Sequence, residues 1–187
     1  MGVLYGVFVR NGNLKIHNRI YAEVLVTYMT VKTLEKQEIS GMEAGWAYKN
    51  RDGSLNMESV LLGFQSFMKK EYSRKDRDFL EKNGRLVFLA FLKPIINGNG
   101  FDFKEPQISE EKRLDVVITY LNEKFVAELK LWRGQQYHEY GLEQLANYLN
   151  MQGLNEGFLL IFDHSEVKNW QSEWLETHGK RIFAVWV

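Results

Sequence analysis

At 187 residues and 22.0 kDa the chain can bury one good core, with room left for a small appendage. Hydrophobic residues at 45% and aromatics at 14% exclude an intrinsically disordered chain, and the absence of cysteine excludes disulfides, thiol chemistry and cysteine-ligated zinc. Twenty-four basic residues balance 24 acidic ones, so no global field draws nucleic acid and any such binding must rest on a local basic patch.

In chain order, Val3–Val9 reads as a strand, Asn11-Gly12-Asn13 as a turn, and Leu14-Lys15-Ile16 as the returning strand. Asn18 can cap a helix whose apolar residues Ile20, Tyr21, Val24, Leu25, Tyr28 and Met29 keep the rhythm of one face. Residues 33–53 are polar and glycine-containing, the best linker candidate. Ser54 is the expected cap of a second helix with Val60, Leu61, Phe64, Phe67 and Met68 inward. Lys69, Lys70, Arg74, Lys75 and Arg77 follow as a basic cluster broken by Glu71 and Asp76. Such a cluster is either a solvated helix end or a phosphate contact.

A third helix is expected from about Asp78 to Leu92, stopping before Pro94 and buried on most sides along Leu86–Leu92. Glu81 and Arg85, four apart, form its early polar edge. Asn97-Gly98-Asn99-Gly100 is a turn, and Phe101–Glu105 a strand. After residue 132, Tyr137–Gln152 has helical spacing and ends at Gly153. Gly157–Phe162 is an all-apolar strand of the kind buried on both faces. Ser165–His178 reads as an amphipathic helix, and Arg181–Val187 as a closing strand. The alternation predicts an α/β fold, a mixed sheet covered by helices. No apolar run reaches the ~18 residues of a membrane span and no leader pattern opens the chain, which suits a cytoplasmic protein.

The densest chemical signal is Arg113–Trp132, two β-branched and aromatic runs around Asn122-Glu123, a hairpin. Strand alternation puts Leu114, Val116, Ile118 and Tyr120 on one face, with Phe125, Ala127, Leu129 and Leu131. Asp115, Glu128 and Lys130 take the other. A two-residue turn at Asn122-Glu123 pairs Leu121 with Lys124 and sets Asp115 opposite Lys130, with Glu128 on the diagonal. Two acids and a lysine on apolar strands make either a site or a salt bridge. As a site, the carboxylates and a strand carbonyl are hard oxygen ligands of the kind Mg²⁺ prefers, suited to phosphodiester hydrolysis. His17, His138, His164 and His178 show no ligand spacing, and Trp170 and Trp174 read as core.

Asp115 with Glu128-Leu129-Lys130 across a hairpin, a helix ahead and helix and strand behind, resembles the PD-(D/E)XK nuclease superfamily. More narrowly, the chain is similar to the C-terminal part of bacterial AAA-ATPase-like proteins that carry such a domain. The matching stretches are Leu14–Val24, Ala90–Leu92 through Asn97–Gly100, Arg113-Leu114-Asp115, Glu128–Lys130, Gly141–Gln144 with Tyr148, and Glu156–Asp163. The resemblance implies a restriction-endonuclease-like mixed β-sheet flanked by helices over residues 46–187. It also implies a small N-terminal α+β appendage over residues 1–45, resembling the tail of an ATPase region. That region is absent here, so the chain reads as a truncated gene or as an expressed fragment of a longer one.

The same resemblance implies metal ligation by Asp115 and Glu128 with the Leu129 carbonyl, and Lys130 as catalytic lysine. Glu81 falls on the family's first-helix acid, although Phe79-Leu80 stands before it where the family has Tyr-Lys. Leu114 replaces the proline before the first acid of the hairpin. Gln144 and Tyr148 fall on the helix motif beside the site, and Glu105 and Arg113 lie just upstream of Asp115. The function implied is Mg²⁺-dependent nucleic-acid cleavage, of DNA in the first instance, with Mn²⁺ as substitute. The alternative is an inactive nuclease-like domain serving as a binding or assembly module of an ATPase. No membrane partner is expected, and homo-oligomerisation is left open.

Overall fold

The computed structural model describes residues 8–11, 13–16, 46–71, 77–96, 100–103, 116–165 and 168–187, with the side chains of 8–16, 77–83 and 101–103 outside that description. Strands β1 (Phe8–Asn11) and β2 (Asn13–Ile16) pair antiparallel about Asn11↔Asn13, as the Asn-Gly-Asn signal predicts. The expected helix from Asn18, and Val3–Val7 of the first strand, lie outside the described residues.

Helix α1 (Met57–Glu71) begins two residues later than Ser54 suggests. Asn56 is the cap: its side-chain oxygen accepts the Ser59 N–H at 2.9 Å. Ser54 instead closes a turn, giving its N–H and hydroxyl to Asp52 at 2.9 and 2.6 Å. Asp52's carboxyl is held below its ordinary value first by the hydroxyl bond and then by the backbone one. Residues 46–53, the described end of the expected linker 33–53, are tied down with the three residues that follow: Lys49 bridges Leu55, and Leu55 is buried.

Helix α2 (Arg77–Ile96) runs through Pro94 rather than stopping before it. Proline fixes a helical φ and removes one N–H, a tolerable loss in a last turn that buries Ile95 and Ile96. The continuous apolar run is sheathed as expected, from Leu86 to Leu92. Phe64 of α1 meets Phe88 and Phe91 of α2 edge-on, with centroids 5.2 and 5.4 Å apart.

A six-stranded mixed sheet follows, in spatial order β3-β4-β5-β6-β8-β7. Its members are β3 (Gly100–Phe103), β4 (Val116–Tyr120), β5 (Glu123–Leu131), β6 (Glu156–Phe162), β7 (Ser172–Thr177) and β8 (Lys180–Trp186). β3, β4 and β5 form an antiparallel meander, β5, β6 and β8 run parallel, and β7 returns antiparallel on the edge. Helix α3 (Gln135–Met151) makes the crossover from β5 to β6 that a parallel pair requires. It ends as predicted at Gly153 (φ +66°), where the Gly153 and Leu154 N–H groups donate back to Asn150 and Leu149.

Strand alternation sorts the core into two layers. Val116, Ile118, Tyr120, Ala127, Phe158, Leu160, Phe162, Phe183 and Val185 pack with α1 and α2 on one face. Val126, Leu159, Ile161, Ile182, Ala184 and Trp186 pack with Leu142, Leu145, Tyr148 and Leu149 of α3 on the other. This is an α/β sandwich, and β6 is buried on both faces as its composition requires.

Two expectations are corrected. Residues 165–178 hold no helix among those described; 172–177 form β7, paired with β8 through His178-Gly179. Both turn residues have positive φ, +49° and +71°, the demand of a tight primed hairpin turn that glycine meets without steric cost. Trp174 then faces Phe183 at 5.1 Å, and Leu175 the opposite layer. Secondly, the central hairpin turns at Leu121-Asn122, so Lys124 pairs with Thr119 rather than Leu121. The slip is by two residues, which keeps every side chain on its predicted face.

Candidate active site

Glu128 lies in the middle of β5, on a layer otherwise made of Val126, Leu159 and Ile161, and only 2% of it is exposed. A carboxylate there is costly unless a cation and hydrogen bonds meet it. Lys130, two residues on and therefore on the same face, supplies the cation: its Nζ is 2.8 Å from Glu128 Oε1. The same ammonium donates to Gln144 Oε1 at 3.2 Å, across from strand to helix. Lys130 keeps 22% exposure, so the pair has a dry end and a wet end.

Helix α3 passes over the stem of this lysine at Gly141, with ordinary van der Waals room for a Cβ between them. A Cβ there would touch Lys130 Cε at 3.6 Å and Cγ at 3.7 Å. Gly141, Gln144 and Tyr148 succeed one another at helical spacing, so the stripe of α3 that covers the lysine stem also carries the amide that fixes its head. Tyr148 is buried in the same layer as Val126.

Beyond Lys130, toward the carboxyl end of β5, a cavity of about 10 Å³, roughly the room of one water, is lined by Trp132, Arg133, Tyr137, His138 and Gly141 among others. His138 sits against Trp132 and Trp186, with ring centroids 5.6 and 5.5 Å away. Burial between these rings lowers its pKa below the ordinary value, and the nearby charges of Glu173 and Glu139 only partly oppose this.

Of the predicted site residues, Glu128, Lys130 and Gln144 are brought into direct contact, and Tyr148 lies one helical turn further along α3. Leu129 contributes a backbone carbonyl between the two charged residues, while its side chain packs in the other layer. Glu81 belongs to α2, whose described core residues pack on the sheet face opposite Glu128; its own side chain is outside the described residues. Asp115, Glu105 and Arg113 also lie outside them. The Leu121↔Lys124 register on which the expected pairing of Asp115 with Lys130 was based is not the one formed, since Lys124 pairs with Thr119. Among the described residues no three His, Asp or Glu side chains gather into a metal-sized group.

Sequence reasoning gave no site role to three neighbours of this region. Asp163, 6% exposed, closes β6 and accepts the Ser165 N–H at 2.9 Å. An acid directly after an all-apolar strand was its visible signal. His138 and Trp132 gave none, because only the fold brings Trp186 against both. No helix among those described is long and apolar enough to cross a membrane. Comparison with protein-family models, with curated proteins and with solved structures finds no match to this chain.

Proposed function

We propose that this chain is a metal-dependent nuclease of the PD-(D/E)XK kind, with Lys130 as its catalytic lysine. One observation carries the reading: a lysine and a buried glutamate, two residues apart on an apolar central strand, with the ammonium held from the next helix by Gln144. A glutamate placed for packing alone has no reason to be 2% exposed in the middle of a sheet. The order of elements also agrees: a helix, then the meander holding the hairpin, then a helix and a strand parallel to β5.

The donors present suit a hard divalent cation, since Glu128 and the Leu129 carbonyl offer oxygen only. Asp115 is the natural completion. Val116 pairs with Ala127, and the flanking residues are Asp115 and Glu128. When bound, Mg²⁺ or Mn²⁺ supplies Lewis-acid polarisation of a phosphoryl oxygen and a more acidic water. The chain's own share is positional and electrostatic. Gln144 fixes the Lys130 head, the Gly141 stripe fixes its stem, and the partly exposed ammonium offsets charge developing on a phosphate.

The second reading, an inactive module that binds or assembles with an ATPase, draws on the closeness of the same pair. At 2.8 Å the Lys130 ammonium already occupies Glu128 Oε1, as a purely structural salt bridge would. Mn²⁺ calorimetry and cleavage assays on single- and double-stranded DNA separate the two. For the nuclease, Glu128→Gln and Asp115→Asn lose Mn²⁺ binding, whereas Lys130→Ala keeps most of it and loses cleavage. Wild type that neither binds Mn²⁺ nor cleaves decides for the module.

A further inference from the structure

Trp170 precedes β7 in the segment 168–171, and two lysines from distant parts of the chain converge on its ring. Lys69 Nζ, from the last turn of α1, lies 5.7 Å from the ring centroid, and Lys168 Nζ lies 5.1 Å from it. The two ammoniums are therefore no more than 10.8 Å apart, although like charges repel. The segment is held firmly. Gln65, one turn before Lys69, donates to the Gln171 carbonyl at 3.0 Å and the Trp186 carbonyl at 2.9 Å. Trp186 returns its N–H to Gln171. Exposed Lys70 adjoins, and the sequence continues with Arg74, Lys75 and Arg77.

Asp163 acts on Lys168, but burial acts more strongly and pulls the Lys168 pKa down. In a chain of zero net charge, a pinned pair of lysines on an aromatic platform is a local concentration of positive potential. We infer that Lys69, Lys168 and Trp170 form a phosphate clasp for the backbone of a nucleic acid, outside the Glu128–Lys130 site. Trp170 packs with the α1–α2 layer while Lys130 lies on the α3 face, so the clasp is a second contact and not the seat of the reacting phosphate. Lys168 lies six residues after Phe162, which pairs with Leu131 beside Lys130.

The inference takes its partner from the nuclease reading but is tested without catalysis. Binding of a fluorescent oligothymidylate to the full chain is measured in EDTA at several salt concentrations, with melting curves confirming that each variant is folded. A lysine on a single-strand phosphate contributes about 0.7 to the slope of log K against log salt, equivalent to about eightfold in affinity at 50 mM salt. Lys69→Gln with Lys168→Gln should lower the slope by about 1.4, while the double arginine variant should keep it. Lys180→Gln, whose ammonium is bonded to the Leu154 carbonyl at 2.7 Å, serves as control and should change nothing. An unchanged slope in the double glutamine variant overturns the clasp. So does wild type that fails to bind in EDTA, or lysine-dependent binding seen only with phosphatidylserine vesicles. Cleavage persisting beside any of these leaves the Lys130 reading standing while the clasp falls.

Discussion

Gln65 shows how one polar side chain can settle a surface far from it in sequence. It is 6% exposed, and its amide joins α1 to the segment before β7 and to the end of β8. Gln65→Leu keeps the volume but strands the Trp186 carbonyl, which should cost about 1–3 kcal/mol. A urea midpoint shifted down at constant slope is the expected reading. His138 makes a pH prediction. Its folded pKa is depressed by burial, so the folded state favours the neutral ring and the unfolded chain binds the proton more readily. This contribution to stability is complete above the ordinary histidine value near 6.5 and is lost as pH falls toward the folded pKa. Melting temperature should drop more steeply between pH 7 and 5 in wild type than in His138→Phe. Equal pH dependence would show that the ring between Trp132 and Trp186 is not the titrating group.

At the scale of elements, the hairpins show what turns decide. β7–β8 turns through His178-Gly179, where glycine accepts a φ of +71°. β4–β5 turns through Leu121, a 57% exposed residue at φ +52°, where a bulky side chain is strained and no core contact repays it. Leu121→Gly should therefore stabilise the protein by about 0.5–1 kcal/mol, the left-handed relief exceeding the added unfolded-state entropy. Differential scanning calorimetry would register this as a higher melting temperature with Glu128–Lys130 chemistry unaltered. A lower melting temperature would mean that the Leu121 side chain is packed in solution.

For the molecule as a whole, the two layers have different tasks. The α1–α2 layer holds most of the large apolar side chains, while the α3 layer admits a buried ion pair and a histidine. A ligand bound only by the folded protein stabilises it by mass action, by about 2.7 kcal/mol at a hundred times its Kd. Mn²⁺ should accordingly raise the melting temperature of wild type and of Lys130→Ala, and leave Glu128→Gln and Asp115→Asn unmoved. A gain that survives Glu128→Gln would place the cation elsewhere.

Local pattern by itself determined much of this protein. Period-two alternation assigned Glu128 and Lys130 to the face opposite Ala127 and Leu129, and it did so correctly despite a wrong turn, because a slip of two residues preserves the face. Helical spacing likewise identified α1 and α3, whose buried stripes repeat along the chain. What failed was local signal outvoted by distant contacts. Residues 172–177 carry apolar residues at ambiguous spacing, and pairing with β8 makes them a strand. Pro94 ends a helix only if nothing holds the last turn, and here burial of Ile95 and Ile96 holds it. The contact of Gln144 with Lys130, the seat of His138 between two tryptophans, and the meeting of Lys69 with Lys168 were beyond local reading. Each joins residues on different elements, and such proximity is set by packing of whole elements rather than by the order of side chains along them.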